Sequence, residues 1–195
     1  MNLTLDSDVL VYALNVPGDK NLRNVHIKSS KLYKSCITGD NKLLLPTTIL
    51  VESVSALSKI ITPEFAKASR EDIVDNASEI FPVSPKPALY SMPDNQRYVD
   101  LCLEYATNFS IKKDPADSYA PGLKDDASEV KISGMDIFIL AYSDLRSTTL
   151  ITNDWSLWYI AWKSGISAYW ISGLRDEQID AVRKGRKIEY PVKVE

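Results

Sequence analysis

Several short stretches of this chain are apolar at consecutive positions instead of alternate ones. Leu43-Leu44-Leu45-Pro46 and Thr149-Leu150-Ile151-Thr152 cannot offer one apolar face and one wet face. A strand built from either must be covered on both sides, which is the condition of a strand inside a parallel sheet. The segments between them carry apolar residues at helical spacing, as in Leu50, Val54, Leu57 and Ile61. Strands alternating with helices predict an α/β fold, a central parallel β-sheet flanked by α-helices.

The remaining elements follow from local signals. Leu3–Asp6 predicts a first strand, with Ser7 as cap of a helix over Asp8–Leu14 that Pro17 and Gly18 end. A Lys-rich helix is expected over Lys20–Ile37, closed by Gly39. Thr47 or Thr48 should cap the helix after the Leu43–Pro46 strand, and Thr62-Pro63-Glu64 starts another reaching about Glu79. Proline-rich Phe81–Pro93 is expected to be extended or looped. Asn95–Phe109 reads as a helix with Val99, Leu103 and Ala106 aligned, and Ser133-Gly134 opens a helix to Arg146. The strand Thr148–Thr152, the helix Trp155–Lys163 and a last strand Ala168–Ile171 complete the pattern. Polar Lys112–Lys131 has no periodicity and is expected to be a surface insertion. The resulting division is a domain over residues 1–172, with the insertion near 112–131, and a C-terminal helix and tail over 173–195 packed on it or extending from it.

At 195 residues the chain suits one large domain, and 45% hydrophobic with 25% charged residues excludes a disordered tail or a fibre. The longest uncharged stretch, Ser164–Leu174, has eleven residues, against roughly 18 to 20 needed to cross a bilayer. No basic head precedes the apolar residues of Met1–Asp6, so no secretory leader is expected and the location is expected to be cytoplasmic, with no membrane partner. Cys36 and Cys102 are then expected to be free thiols. The net charge of −3 gives no support to simple electrostatic binding of nucleic acid, although basic residues cluster at Lys20–Lys34 and Arg175–Lys187. The single histidine, His26, reads as a helix-surface residue, and seven glycines form no phosphate loop. Trp155, Trp158 and Trp162 share a helix face and are expected in the core or at an interface.

Four acids stand where acids are costly or well placed. Asp6 ends the first strand, and Asp154 follows the Thr149–Thr152 strand, at the strand ends where open parallel sheets form their sites. Asp136 lies in the first turn of a helix that is apolar nearly all round. Glu52 falls on the shoulder of the apolar face of its helix, from which it can point along the sheet edge towards the other three. Each has an ordinary structural reading alone: cap, first-turn charge, surface residue, turn former. Together, with no His or Cys beside them, they suit a hard cation, Mg²⁺ or Mn²⁺.

The segments Leu3–Leu10, Pro46–Glu52, Met135–Ala141 and Leu150–Asp154 resemble, in order, the four signature segments of PIN-domain nucleases. The resemblance spans Leu3–Asp154 and extends to about Ile171, and by analogy the role it implies is that of a VapC-type toxin ribonuclease or a close relative. It implies that Asp6, Glu52, Asp136 and Asp154 form an acidic Mg²⁺ or Mn²⁺ site that hydrolyses RNA, with Asp136 or Asp154 orienting or deprotonating the water. Ser7 and Thr152 match its supporting hydroxyl residues. Asp8 replaces the commoner Asn or neutral residue and is read as a first-turn acid in preference to an extra ligand. The resemblance also implies a homodimer, and an antitoxin protein partner that blocks the site, with basic residues of the early helix guiding RNA. Two other readings compete. Asp6-Ser7-Asp8 resembles the start of haloacid-dehalogenase-type phosphatases, with Asp6 as nucleophile, but Val9-Leu10 departs from that pattern. The other is a PIN-fold RNA-binding or scaffold protein with little activity.

Overall fold

The computed structural model describes residues 1–81, 93–107, 110–112 and 129–190. Strand β1 (Asn2–Leu5) leads into helix α1 (Ser7–Leu14), and a 3₁₀ turn (Lys20–Leu22) leads into α2 (Arg23–Ile37). Then come β2 (Lys42–Pro46), α3 (Thr47–Ile60), α4 (Pro63–Asn76) and β3 (Ala77–Phe81). Helix α5 (Pro93–Thr107) is followed by β4 (Ser110–Lys112) and β5 (Glu129–Lys131). The chain continues through α6 (Gly134–Leu145), β6 (Thr149–Thr152), α7 (Trp155–Lys163), β7 (Ala168–Trp170) and α8 (Asp176–Arg183).

Five strands form one parallel sheet in the order β3-β2-β1-β6-β7, as the doubly apolar strands require. Leu3, Leu5, Leu43, Leu45, Leu150 and Ile151 are all fully buried. The chain leaves β1 towards β2 and β3, then returns to the other side of β1 for β6 and β7. The order therefore reverses between β1 and β6, and the crevice beyond their carboxyl ends is where this architecture places ligands. Asp6 and Asp154 follow those two strands.

Several local expectations change. Asp6, not Ser7, is the N-cap of α1: the strand keeps Asp6 extended, and its carboxylate accepts from the Ser7 amide. Pro46 holds the N-cap position of α3 with no side-chain cap bond. Helix α4 stops at Asn76, and the next residues pair with β2 as an edge strand. Long-range contacts select strand there: Glu79 accepts hydrogen bonds from Tyr142 on α6 (3.1 Å) and from Arg146 at the C-cap of that helix (2.7 Å). On α5 the aligned Val99 and Leu103 face outward, at 40% and 62% exposure, while Leu101 and Tyr105 are buried against the core. The polar segment 112–131 begins and ends in antiparallel strands, β4 and β5, with Val130 buried, and 113–128 lie outside the described residues. So do 82–92 of the proline-rich segment and 108–109 of the expected helix.

Helix α8 belongs to the main core, to which Leu174, Ile179 and Val182 contribute buried side chains. Lys28 of α2 is buried and donates to the carbonyls of Leu174 (2.5 Å) and Ile171 (3.4 Å), so one member of the early basic cluster is a structural tether. His26 donates from Nδ1 to the Tyr12 carbonyl (2.6 Å), because a carbonyl can only accept, and so joins α2 to α1. Trp158 is buried among Trp155, Tyr159, Trp162, Trp170 and Tyr190, which makes the tryptophan stripe core. Both cysteines are free thiols. No helix among the described residues is long and apolar enough to cross a membrane.

Candidate active site

Three of the four expected acids stand at helix N-termini, and each has a backbone reason for its position. Asp6 caps α1, Asp154 caps α7, and Asp136 is the third residue of α6. Unpaired amides and the positive end of the helix dipole favour a carboxylate at each place. Asp154 Oδ1 accepts from the amides of Ser156 (2.6 Å) and Leu157 (3.2 Å). Asp136 Oδ2 accepts from the Ser133 amide (2.7 Å), while the Ser133 hydroxyl accepts from the Asp136 amide (3.4 Å), a reciprocal capping box.

Asp6 is the buried member, at 6% exposure. Its Oδ1 accepts from the Ser7 amide (2.7 Å), with the Ser7 hydroxyl at 3.5 Å, and its Oδ2 accepts from the Thr152 hydroxyl (2.7 Å). Thr152 Oγ1 in turn accepts from the Asp154 amide (2.9 Å). Thr152 thus links the turn bearing Asp154 to the carboxylate of Asp6. The turn is held further by Trp170 Nε1 donating to the Asn153 carbonyl (3.1 Å) and Ser172 Oγ donating to Asn153 Oδ1 (2.5 Å).

Desolvation pushes the Asp6 carboxyl up to about 7. The Thr152 and Ser7 hydrogen bonds work against that rise, and the charges of Asp8 and Asp136 add to it. Asp136 is also raised, first by burial and then by Asp154, with its Ser133 bonds opposing. Asp8 is raised by burial, then by Asp154 and Asp136. Asp6, Asp8, Asp136 and Asp154 therefore share one negative potential. Asp8, read from the sequence as a first-turn acid, is that and also part of the acidic group; its signal was the two-residue step from Asp6.

Glu52 stands differently. It is half-buried on α3 and is not among the acids that raise Asp8 and Asp136. It lines a groove of about 520 Å³ between α3 and the start of α6, where Met135, the neighbour of Asp136, forms part of the wall. The groove sets Glu52 beside the residue that precedes Asp136.

An oxygen-only donor set under mutual repulsion fits a hard divalent cation, which would relieve the charge and favour the ionised form of Asp6. The fit is one of donor chemistry and shared potential. Among the described residues no three His, Cys, Asp or Glu side chains are grouped as a metal ion would require.

No known protein family's sequence profile matches the chain, and no curated protein does. Among solved structures it is similar to VapBC2 from Rickettsia felis bound to a DNA fragment from their promoter. That alignment covers 87% of this chain and 98% of the other, with 18% identity and a TM-score of 0.49, a level of likeness that assigns no activity.

Proposed function

We propose that the protein is a metal-dependent ribonuclease whose Asp6, Glu52, Asp136 and Asp154 hold Mg²⁺ or Mn²⁺. The observation that carries this reading is the buried Asp6, raised to about 7 beside Asp8 and Asp136 at the switch point of the sheet. A buried carboxylate set among like charges weakens a fold unless a cation is its working partner. The bound ion would supply Lewis acidity, activating water and neutralising charge on the phosphate oxygens. The protein's own residues do the rest. Thr152 and Ser7 fix the carboxylate of Asp6, and Ser133 orients Asp136. Asp154 keeps one carboxylate oxygen without a hydrogen bond among the described residues, and Asp136 is held by Ser133 alone, so either is able to accept a proton from the attacking water.

The four ordered segments extend the reading to a toxin of a toxin–antitoxin pair, working as a homodimer and masked by its antitoxin. The test is cleavage of a mixed set of structured RNAs with Mg²⁺ or Mn²⁺, beside Asp136→Asn and a chelator control. Cleavage lost in both controls supports the proposal. A folded protein that binds the ion and cuts none of the RNAs favours the scaffold reading.

A further inference from the structure

Asn153, the residue before Asp154, is gripped twice by the chain at the end of β7. Its carbonyl accepts from Trp170 Nε1 (3.1 Å) and its Oδ1 accepts from Ser172 Oγ (2.5 Å). Strand β7 has three residues and forms the edge of the sheet, so among the described residues no further strand holds Trp170 from outside. The segment after α8 does so instead. Tyr190 donates its hydroxyl to the Trp170 carbonyl (3.4 Å), and its ring meets Trp158 and Tyr169 edge-on, with centroids 5.7 and 5.8 Å away. The Tyr169 hydroxyl accepts from the Ile188 amide (3.1 Å) and donates to the Ile188 carbonyl (3.3 Å). Gly173 leaves the room that this packing needs. A Cβ there would lie 2.5 Å from Tyr190 Oη and 2.7 Å from Trp170 Cε3, closer than such atoms pack. Gly173 is not among the glycines with positive φ, so close approach alone accounts for it.

We propose that Trp170 is a positioning residue for Asp154, and that Ile188–Tyr190 is the brace that keeps its indole on the Asn153 carbonyl. The inference rests on the nuclease reading, in which Asp154 is a metal ligand. The bonds of Asp154 itself are local: its amide donates to Thr152 Oγ1, and its Oδ1 accepts from the amides of Ser156 and Leu157. They fix the acid relative to its own strand and helix. The Trp170 and Ser172 bonds fix the same turn relative to the neighbouring strand, where Trp170 is the ladder partner of Thr152. Groups that orient a metal ligand without touching the ion govern how well the ion is held. A shift of about 1 Å in such a ligand is enough to impair a site. The brace therefore makes the geometry of Asp154 depend on residues about 35 positions further along the chain.

The test combines amide hydrogen exchange in the metal-free protein, calorimetric binding of Mn²⁺ alone, and cleavage of structured RNAs. Trp170→Phe keeps a packed ring and removes the donor, Tyr190→Ser removes the brace, and Gly173→Ala pushes the phenol aside. Each should speed exchange at the Asp154 and Leu157 amides by about fivefold, the equivalent of one lost hydrogen bond. Each should also weaken Mn²⁺ binding by about tenfold. Tyr190→Phe, which keeps the ring contacts, should restore both readouts to wild-type values. Ile73→Val on α4, which packs by β3 at the opposite edge of the sheet, should lower stability and leave both readouts unchanged. If Ile73→Val moves them as far as the other variants do, the contacts are merely structural and the inference falls. If the wild type binds Mn²⁺ and cuts RNA while Trp170→Phe and Tyr190→Ser exchange, bind and cut as it does, the inference falls and the nuclease reading stands. If the wild type neither binds the ion nor cuts RNA, the nuclease reading falls. Exchange at Asp154 then decides the brace alone, and an unchanged rate overturns it.

Discussion

The Thr152 hydroxyl donates to Asp6 Oδ2 across 2.7 Å and so ties the end of β6 to the end of β1. The same oxygen accepts the Asp154 amide, which makes one hydroxyl responsible for placing two acids from opposite ends of the sequence. Thr152→Val keeps the shape and removes both bonds. The bond to Asp6 opposes the upward shift of its carboxyl. The variant should therefore raise Asp6 beyond its present value and cost about 1–3 kcal/mol of stability at pH 8. Urea unfolding at pH 5 and pH 8 tests this, since the loss should be larger at the higher pH.

The pH dependence of the metal-free protein follows from Asp6. Its folded value of about 7 lies above the ordinary 3.8, so between these limits the folded state holds more protons than the unfolded state. Stability contributed by protonated Asp6 is then present below about pH 4 and declines as pH rises to about 7. The decline should be of order 2–4 kcal/mol. Asp6→Asn should flatten this slope in chelator-containing buffer, leaving the smaller contributions of Asp8 and Asp136. A wild-type slope no different from that of Asp6→Asn over this range would contradict the assignment.

Asp136 has a structural and a proposed chemical role that different substitutions separate. Asn at this position can still accept from the Ser133 amide, so Asp136→Asn should retain the capping box and change stability by less than about 1 kcal/mol. Metal-supported RNA cleavage should nevertheless fall by about a hundredfold or more. Asp136→Ala loses both, with an added cost of about 1 kcal/mol. Thermal melts beside cleavage rates distinguish the pair.

Lys28 should matter for the fold while being unavailable to RNA. Lys28→Met leaves the Leu174 carbonyl without its buried donor, and should cost about 1–3 kcal/mol. Hydrogen exchange should show lost protection concentrated in Ile171–Arg183. A phosphate-binding role would instead lower the salt dependence of RNA binding and leave exchange unchanged.

Loss of divalent ion should have its own signature. Adding Mg²⁺ or Mn²⁺ to apo protein at pH 7 should release protons, because the ion competes with the proton held by Asp6. It should also raise the melting temperature. Calorimetry in two buffers of different ionisation enthalpy measures the release, and Asp6→Asn should abolish most of it.

Sequence alone determined the parallel α/β class, because Leu43–Leu45 and Leu150–Ile151 are apolar on both faces and helices supply the required cover. It also located Asp6, Asp136 and Asp154, since acids beside strand ends and in an apolar helix's first turn stand out locally. Only tertiary structure decided which acids feel one another. Asp8 joins them because α1 starts at the switch point, whereas Glu52 keeps to the adjoining groove. The strand Ala77–Phe81 was likewise illegible, because pairing with β2 and the bond from Arg146 outweigh its local helical continuation. Lys28 and the outward Val99 and Leu103 carry the same lesson. Sequence spacing says which side chains share a face, but only packing against distant segments says which face is buried.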